Sequence, residues 1–195
     1  MTKFKKNDFH YFVINKPYGI LSQFTDEDGR KTLGSIFNFP KDVYPVGRLD
    51  MDSEGLLIIT NDKFLTDYIL NPKNKHEKEY YAQVEGIPDN EALTKLREGV
   101  VIEGKKTLPA KVKLIDEPDF EPRVPPIRVR KTIPTSWLSI TITEGRNRQV
   151  RKMTAAVGHP TLRLVRVRIK NLMLGNMKSG EVRKLTLFDI ERLKK

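Results

Sequence analysis

Cysteine is absent from the 195-residue chain, which excludes disulfides, a thiol nucleophile and thiolate metal ligands. Histidine is nearly absent too. His10, His76 and His159 stand far apart and without ligand spacing, so no metal is expected. No run approaches the ~20 apolar residues of a membrane-spanning helix, and no basic amphipathic helix suggests a membrane-surface anchor. Residues 1–10 hold lysines but no apolar block with a small-residue cleavage site, so no secretory signal is read there. Negative charge is also in deficit: 25 Asp and Glu face 36 Lys and Arg, a formal net charge of +11. Such an excess makes a polyanion the expected partner, because Lys and Arg neutralise phosphates and release counterions. The expectation is a cytoplasmic, monomeric nucleic-acid-binding protein with no membrane partner.

The length suits one domain, or two lobes sharing a core. Tyr11 to Ile14 reads as a strand, stopped by Asn15-Lys16-Pro17-Tyr18-Gly19, where Pro17 and Gly19 demand a turn. Leu56 to Ile59 is short, apolar and bounded by Gly55 and Asn61, the pattern of a buried strand. Asn61 can cap a helix carrying Phe64, Leu65, Tyr68 and Ile69, which Asn71-Pro72 ends. Glu79 to Val84 alternates like a strand. Pro88-Asp89-Asn90 starts a helix with Leu93 and Leu96 on its buried stripe. Val100 to Glu103 and Ala110 to Ile115 read as strands paired through a Gly104-Lys105-Lys106 turn. Trp137 to Ile142 reads as half-buried, with Ser139 and Thr141 on the open face. Many short strands and few helices, in no alternating order, predict an α+β fold: a mixed, mainly antiparallel sheet, helices on its outer side and a cleft on the other.

Charge concentrates in four places. Residues 47–62 pack Arg48 and the carboxylates Asp50, Asp52 and Glu54 into a polar loop running into the buried strand. A charged loop anchored on a core strand can carry chemistry, although surface ion pairs would look the same. Residues 116–134 hold five of the twelve prolines together with Arg123, Arg128, Arg130 and Lys131. Proline withholds backbone donors, so this is a long loop, either a phosphate-contacting arm or a solvated linker. From Asn147, Val150, Met153 and Val157 have helical spacing, leaving Arg148 and Arg151 on another face; Arg146 and Lys152 add to the basic cluster. Finally, Val165, Val167 and Ile169 alternate with Arg166, Arg168 and Lys170. Three cations in a row on one sheet face are costly unless something anionic lies on them, which favours RNA.

Three motifs, in this order, give the chain a resemblance to a known family. Asn15-Lys16-Pro17-x-Gly19, Gly47-Arg48-Leu49-Asp50 through Gly55-Leu56-Leu57, and Glu144-Gly145-Arg146-Asn147-Arg148-Gln149-Val150-Arg151 resemble the bacterial ribosomal RNA pseudouridine synthases of the small-subunit synthase A type. Pro125-Pro126-Ile127-Arg128 and Ile133-Pro134-Thr135-Ser136-Trp137-Leu138 narrow the likeness to members acting on large-subunit ribosomal RNA. Many relatives carry an extra N-terminal RNA-binding module, but only about ten residues precede the first strand here, so a single catalytic domain over 1–195 without that module is expected. The resemblance implies the pseudouridine synthase fold and isomerisation of one uridine to pseudouridine. That reaction adds and removes no atom, so no cofactor is expected.

The resemblance also implies residue roles. Asp50 starts the reaction, as nucleophile or as base on the ribose. Tyr80, in Lys78-Glu79-Tyr80, stacks on the target base, a contact worth ~1–3 kcal/mol. Arg151 pairs with Asp50, which would keep it ionised and aimed. Arg48 fills the space of the extruded base or holds the backbone. The family's late core strand, here Leu164-Val165-Arg166-Val167, walls the uracil pocket with its apolar side chains. From the charge pattern itself, Arg146, Arg148, Lys152, Arg166, Arg168, Arg128 and Arg130 are expected to contact RNA. Two rivals explain parts of the sequence: a non-catalytic RNA-binding protein, and a hydrolase of nucleosides or glycosides using two of Asp50, Asp52 and Glu54 as an acid–base pair.

Overall fold

A computed structural model describes residues 9–127 and 132–194 of the chain. In order, its elements are β1 (Tyr11–Lys16), β2 (Tyr44–Pro45), β3 (Glu54–Thr60), α1 (Lys63–Leu70), β4 (Lys78–Glu85), α2 (Asn90–Glu98), β5 (Val101–Ile102), β6 (Lys105–Lys106), β7 (Lys111–Ile115), β8 (Thr135–Ile142), α3 (Gln149–Ala156), β9 (Thr161–Ile169), β10 (Leu172–Met173), β11 (Val182–Lys184) and α4 (Leu187–Lys194). A nine-stranded sheet runs β11-β1-β3-β9-β4-β8-β7, with β2 added to β3 and β10 to β9. Its pairings are antiparallel except one. β3 and β9 lie parallel and share only two residue pairs, Glu54 with Val165 and Gly55 with Arg166. This is the α+β architecture that the pattern of short strands predicts.

Alternation along the strands gives the sheet two apolar faces. On one, Val13, Leu56, Ile58, Val165 and Val167 pack against Leu65 and Ile69 of α1 and Ile190 and Leu193 of α4. The opposite face carries two separate clusters. Phe12, Ile14, Leu57 and Ile59 hold down Leu33, Phe39 and Leu49. Ala82, Val84, Leu138, Ile140 and Leu164 pack against Leu93 and Leu96 of α2 and Val150 and Met153 of α3. Tyr80 packs against both clusters, so the divide between them passes over this one ring. Helices therefore cover both faces, where the sequence predicts them on the outer side alone. The difference matters because α3 brings its arginines onto the cleft face.

Several local expectations are corrected. The helix cap is Asp62, one residue past Asn61; its carboxylate accepts from Leu65 N at 3.0 Å. Strand β5 pairs with β6 in a small hairpin of its own, while β7 pairs with β8. The tight Glu103-Gly104 turn, with both residues at positive φ, closes the hairpin before the chain reaches β7. β8 is buried on both faces from Trp137 onwards, because Ser139 donates to Glu79 Oε1 at 2.7 Å under cover of neighbouring elements.

The row of three cations does not form. Tyr80 pairs with Arg166 but Glu79 pairs with Arg168, so β9 carries one extra residue there, a β-bulge. The bulge puts Arg168 on the face opposite Arg166. There it meets Glu79 at 2.7 Å and Glu77 at 3.1 Å, and Lys170 turns to the Tyr68 hydroxyl at 2.9 Å. The protein itself relieves the repulsion that the sequence assigned to RNA.

Candidate active site

The loop before β3 is held from below by the turn after β1. Lys16 is fully buried, and its ammonium donates to the carbonyls of Pro17 at 2.8 Å and Ile20 at 2.7 Å. Burial lowers its pKa to about 8, against the pull of the carboxylates Glu54, Asp52 and Asp50. The turn then grips the loop twice. Gly19 N donates to Met51 O at 2.7 Å, and the Ser22 hydroxyl donates to Leu49 O at 2.7 Å while accepting from Leu49 N at 3.1 Å. Ser53 N closes a tight turn onto Asp50 O at 3.0 Å. Asp50 is thus clamped on both sides by backbone while its side chain stays 38% exposed.

The three carboxylates of the loop have different fates. Glu54 is buried and bound by Arg163 through two hydrogen bonds of 2.9 Å. Asp52 takes both guanidinium nitrogens of Arg148, at 2.9 and 2.7 Å. Burial raises the pKa of Asp52, but the Arg148 hydrogen bonds and the charge of Arg151 outweigh it and hold the carboxyl below its usual range. Asp50 alone is left open, with Arg148 Nη1 at 3.4 Å. An acid–base pair of loop carboxylates has no second member.

Arg151 does not take the position expected of it. Its Nη2 donates to the main-chain oxygen of Asp52 at 2.6 Å and its Nε lies 3.4 Å from the Asp52 carboxylate. The reason lies in helix spacing. Arg148 and Arg151, three residues apart, share the face of α3 that meets the loop, and the 50–53 turn presents Asp52 to both. Arg148, left-handed at φ 50° as it enters α3, is the one that reaches on towards Asp50.

These groups border a cleft of about 650 Å³ lined by Arg48, Asp50, Lys78, Tyr80, Arg148 and Arg166 among others. Leu164 lines it too, whereas Val165 and Val167 face the α1 and α4 side. So the wall contributed by β9 is Leu164, Arg166 and Ile169. Of the other cations assigned to RNA, Arg146 donates to the carbonyls of Ile102 and Lys105, fixing the β5–β6 hairpin. Lys152 binds Glu103 at 2.6 Å, and Arg168 is held by Glu77 and Glu79. Arg128 and Arg130 lie outside the described residues. Arg48 is exposed, and no hydrogen bond or ion pair holds its side chain among the described residues. Sequence reasoning missed Lys16, Ser22 and the Glu54–Arg163 pair; the partners of the last two lie 27 and 109 positions away, beyond any local signal.

Residues 10–156 match the family described as RNA pseudouridylate synthase. The chain belongs to the RNA pseudouridine synthase family. It is 53% identical over 175 residues to ribosomal large subunit pseudouridine synthase E of Vibrio parahaemolyticus, covering 90% of this chain and 73% of that one. With the protein of the same name from Xanthomonas axonopodis pv. citri it shares 55% over 160 residues, 80% of this chain and 84% of the relative. The crystal structure of a pseudouridylate synthase superposes with a TM-score of 0.80 at 29% identity, over 99% of this chain and 76% of the other. The sheet described above is therefore the pseudouridine synthase fold. Among the described residues no helix is long and apolar enough to cross a membrane.

Proposed function

We propose that this isomerase converts a uridine of large-subunit ribosomal RNA to pseudouridine, with Asp50 initiating the reaction in the cleft. The observation that carries the assignment is the difference among the loop carboxylates: Asp50 opens on the cleft while Asp52 and Glu54 are held by arginines. The target nucleotide leaves its stack, at a cost of a few kcal/mol, and its base lies against Tyr80. Arg148, 3.4 Å away, orients Asp50, with Arg151 bracing the loop through Asp52. Arg48, unpaired at the cleft mouth, meets the RNA backbone or the vacated stack. The names of the relatives support the large-subunit substrate, and the motifs at 15–19, 47–57 and 144–151 support the grouping with small-subunit synthase A. On this reading residues 1–195 act as one catalytic domain of two lobes, as a monomer in the cytoplasm.

The test is tritium release from large-subunit ribosomal RNA labelled at carbon 5 of uracil, with wild type and Asp50→Asn side by side and RNA binding measured on both. Release by wild type alone at equal affinity is the expected result. Equal release by both proteins would remove Asp50 from its role. Binding without release by either, on free RNA and on partly assembled subunits, would leave a binding protein.

A further inference from the structure

The floor of the cleft holds positive charge that the protein does not neutralise. Arg166 is 4% exposed. Its guanidinium makes one hydrogen bond, from Nε to Leu56 O at 2.8 Å, and its Nη2 is buried with no partner. Lys78 sits two residues from Tyr80 on the same strand and also lines the cleft. It is half-buried, and no carboxylate or carbonyl holds its ammonium among the described residues. Burial and the nearby Arg166 charge both lower its pKa. Every other buried or half-buried arginine of this region has a partner: Arg163 has Glu54, Arg168 has Glu77 and Glu79, Arg151 has Asp52. A buried cation without an acceptor is costly. Two such cations, beside an aromatic ring in a cleft, mark a place where the acceptor arrives with the substrate.

The acceptor must be flat and must reach the floor. Tyr80 is the cross-strand neighbour of Arg166, so a base lying on the Tyr80 ring places its edge towards the guanidinium.

We infer that Arg166 and Lys78 form a counter-charge for the uracil ring, donating to its carbonyl oxygens as the base is released. The inference rests on the proposed placement of the uridine at Asp50 and Tyr80. When the N1–C1′ bond breaks, the electron pair stays on the base and spreads from N1 onto the ring oxygens. The two cations hold this anion while the ring turns. A bond then forms from C5 to C1′, C5 loses its proton, and N1 gains one, so the sum is an isomerisation with no other reactant. Preorganised donors aimed at developing charge are effective because they need no reorganisation. Arg166 is one of three arginines of β9, and the one that the fold leaves without a carboxylate among the described residues, since Arg163 has Glu54 and Arg168 has Glu77 and Glu79.

The test compares Arg166→Gln, Arg166→Lys and Lys78→Met with wild type in single-turnover reaction of ribosomal RNA that contains, at the target position, uridine (read as pseudouridine formed) or 5-fluorouridine (read as 5-fluorouridine consumed, since its C5 has no proton to lose). Nucleosides are separated after digestion, and RNA affinity is measured over a range of salt. Loss of one such donor lowers rate by ~10²–10³-fold. We expect about that loss with uridine for Arg166→Gln, partial recovery for Arg166→Lys, and a smaller loss for Lys78→Met, all at unchanged affinity. Fluorine stabilises the ring anion by itself, so each deficit should shrink with 5-fluorouridine. Deficits of equal size on both substrates would overturn the inference. So would weaker binding with a salt slope reduced by about one, the mark of a phosphate contact. Should Arg166→Gln not fold, Lys78→Met makes the same comparison. Wild type inactive on uridine would instead defeat the functional assignment.

Discussion

Replacing Gly55 with alanine tests how the site is assembled. Gly55 lies at the two-residue parallel contact between β3 and β9, at φ 104°. A methyl group there would stand 2.3 Å from Arg166 O and 2.6 Å from Arg166 N. These are main-chain atoms of a central strand and cannot rotate away. The positive φ costs a side chain ~1–2 kcal/mol, and overpacking against a fixed neighbour costs ~1–3 kcal/mol more. The sum is about 2–5 kcal/mol. In a protein of this size each kcal/mol moves Tm by ~2–4 °C, which gives a fall of roughly 4–20 °C. Gly104→Ala is the control, since Gly104 has φ 73° and open space around its missing Cβ; it should show the backbone cost alone. Thermal unfolding followed by circular dichroism measures both. A Gly55→Ala protein melting within about 2 °C of Gly104→Ala would refute the close-approach argument.

Other outcomes follow from the same geometry. Arg163→Ala leaves the Glu54 carboxylate buried and unpaired, and should cost ~3–5 kcal/mol in denaturant unfolding; a loss under 1 kcal/mol would show the pair to be solvent-screened. Ser22→Ala removes the hydroxyl that clamps Leu49 and should lower kcat more than affinity, with a stability loss of ~1–3 kcal/mol; unchanged kcat would mean that the loop is fixed without it. Lys16 makes stability depend on alkaline pH. Its folded pKa of about 8 lies below the ordinary 10.5, so between these values the unfolded chain binds the proton that the folded one lacks, and stability rises with pH. Unfolding free energy should climb by ~2–3 kcal/mol from pH 8 to 10 on account of Lys16, and clearly less in Lys16→Met, where only Lys78, also lowered by burial, still contributes. Above pH 10 Tyr11, whose phenol is held protonated by burial and by Asp62, reverses the trend.

What the sequence made legible was local. Short apolar runs, proline stops and Asp89 before an amphipathic helix each carry their structural cause within a few residues. The motif at 47–57 singled out Asp50 only through its resemblance to a family, since its residues alone name no reaction. Reading failed where the cause was distant. Alternation put Arg166, Arg168 and Lys170 on one face because a bulge leaves no mark in one strand alone; it exists only in the pairing with β4. Arg151 was matched to Asp50 although the turn presents Asp52. Positive charge was counted towards RNA, yet Arg146, Lys152 and Arg168 are engaged by carbonyls and carboxylates of the chain itself. Net charge reports an excess; only the fold says which cations remain available.

The cleft face of the sheet has a divided interior, one cluster drawn from residues 12–59 and the other from 82–164, with Tyr80 common to both. On the cleft face the two halves meet over this one ring, while the other face is a continuous cluster running from Val13 and Leu56 to Val165 and Val167. A uracil lying on Tyr80 would act as mortar, supplying apolar contact that the polypeptide leaves incomplete. On the proposed placement the substrate base would therefore lie where the two interiors of the cleft face adjoin, touching both through a single side chain.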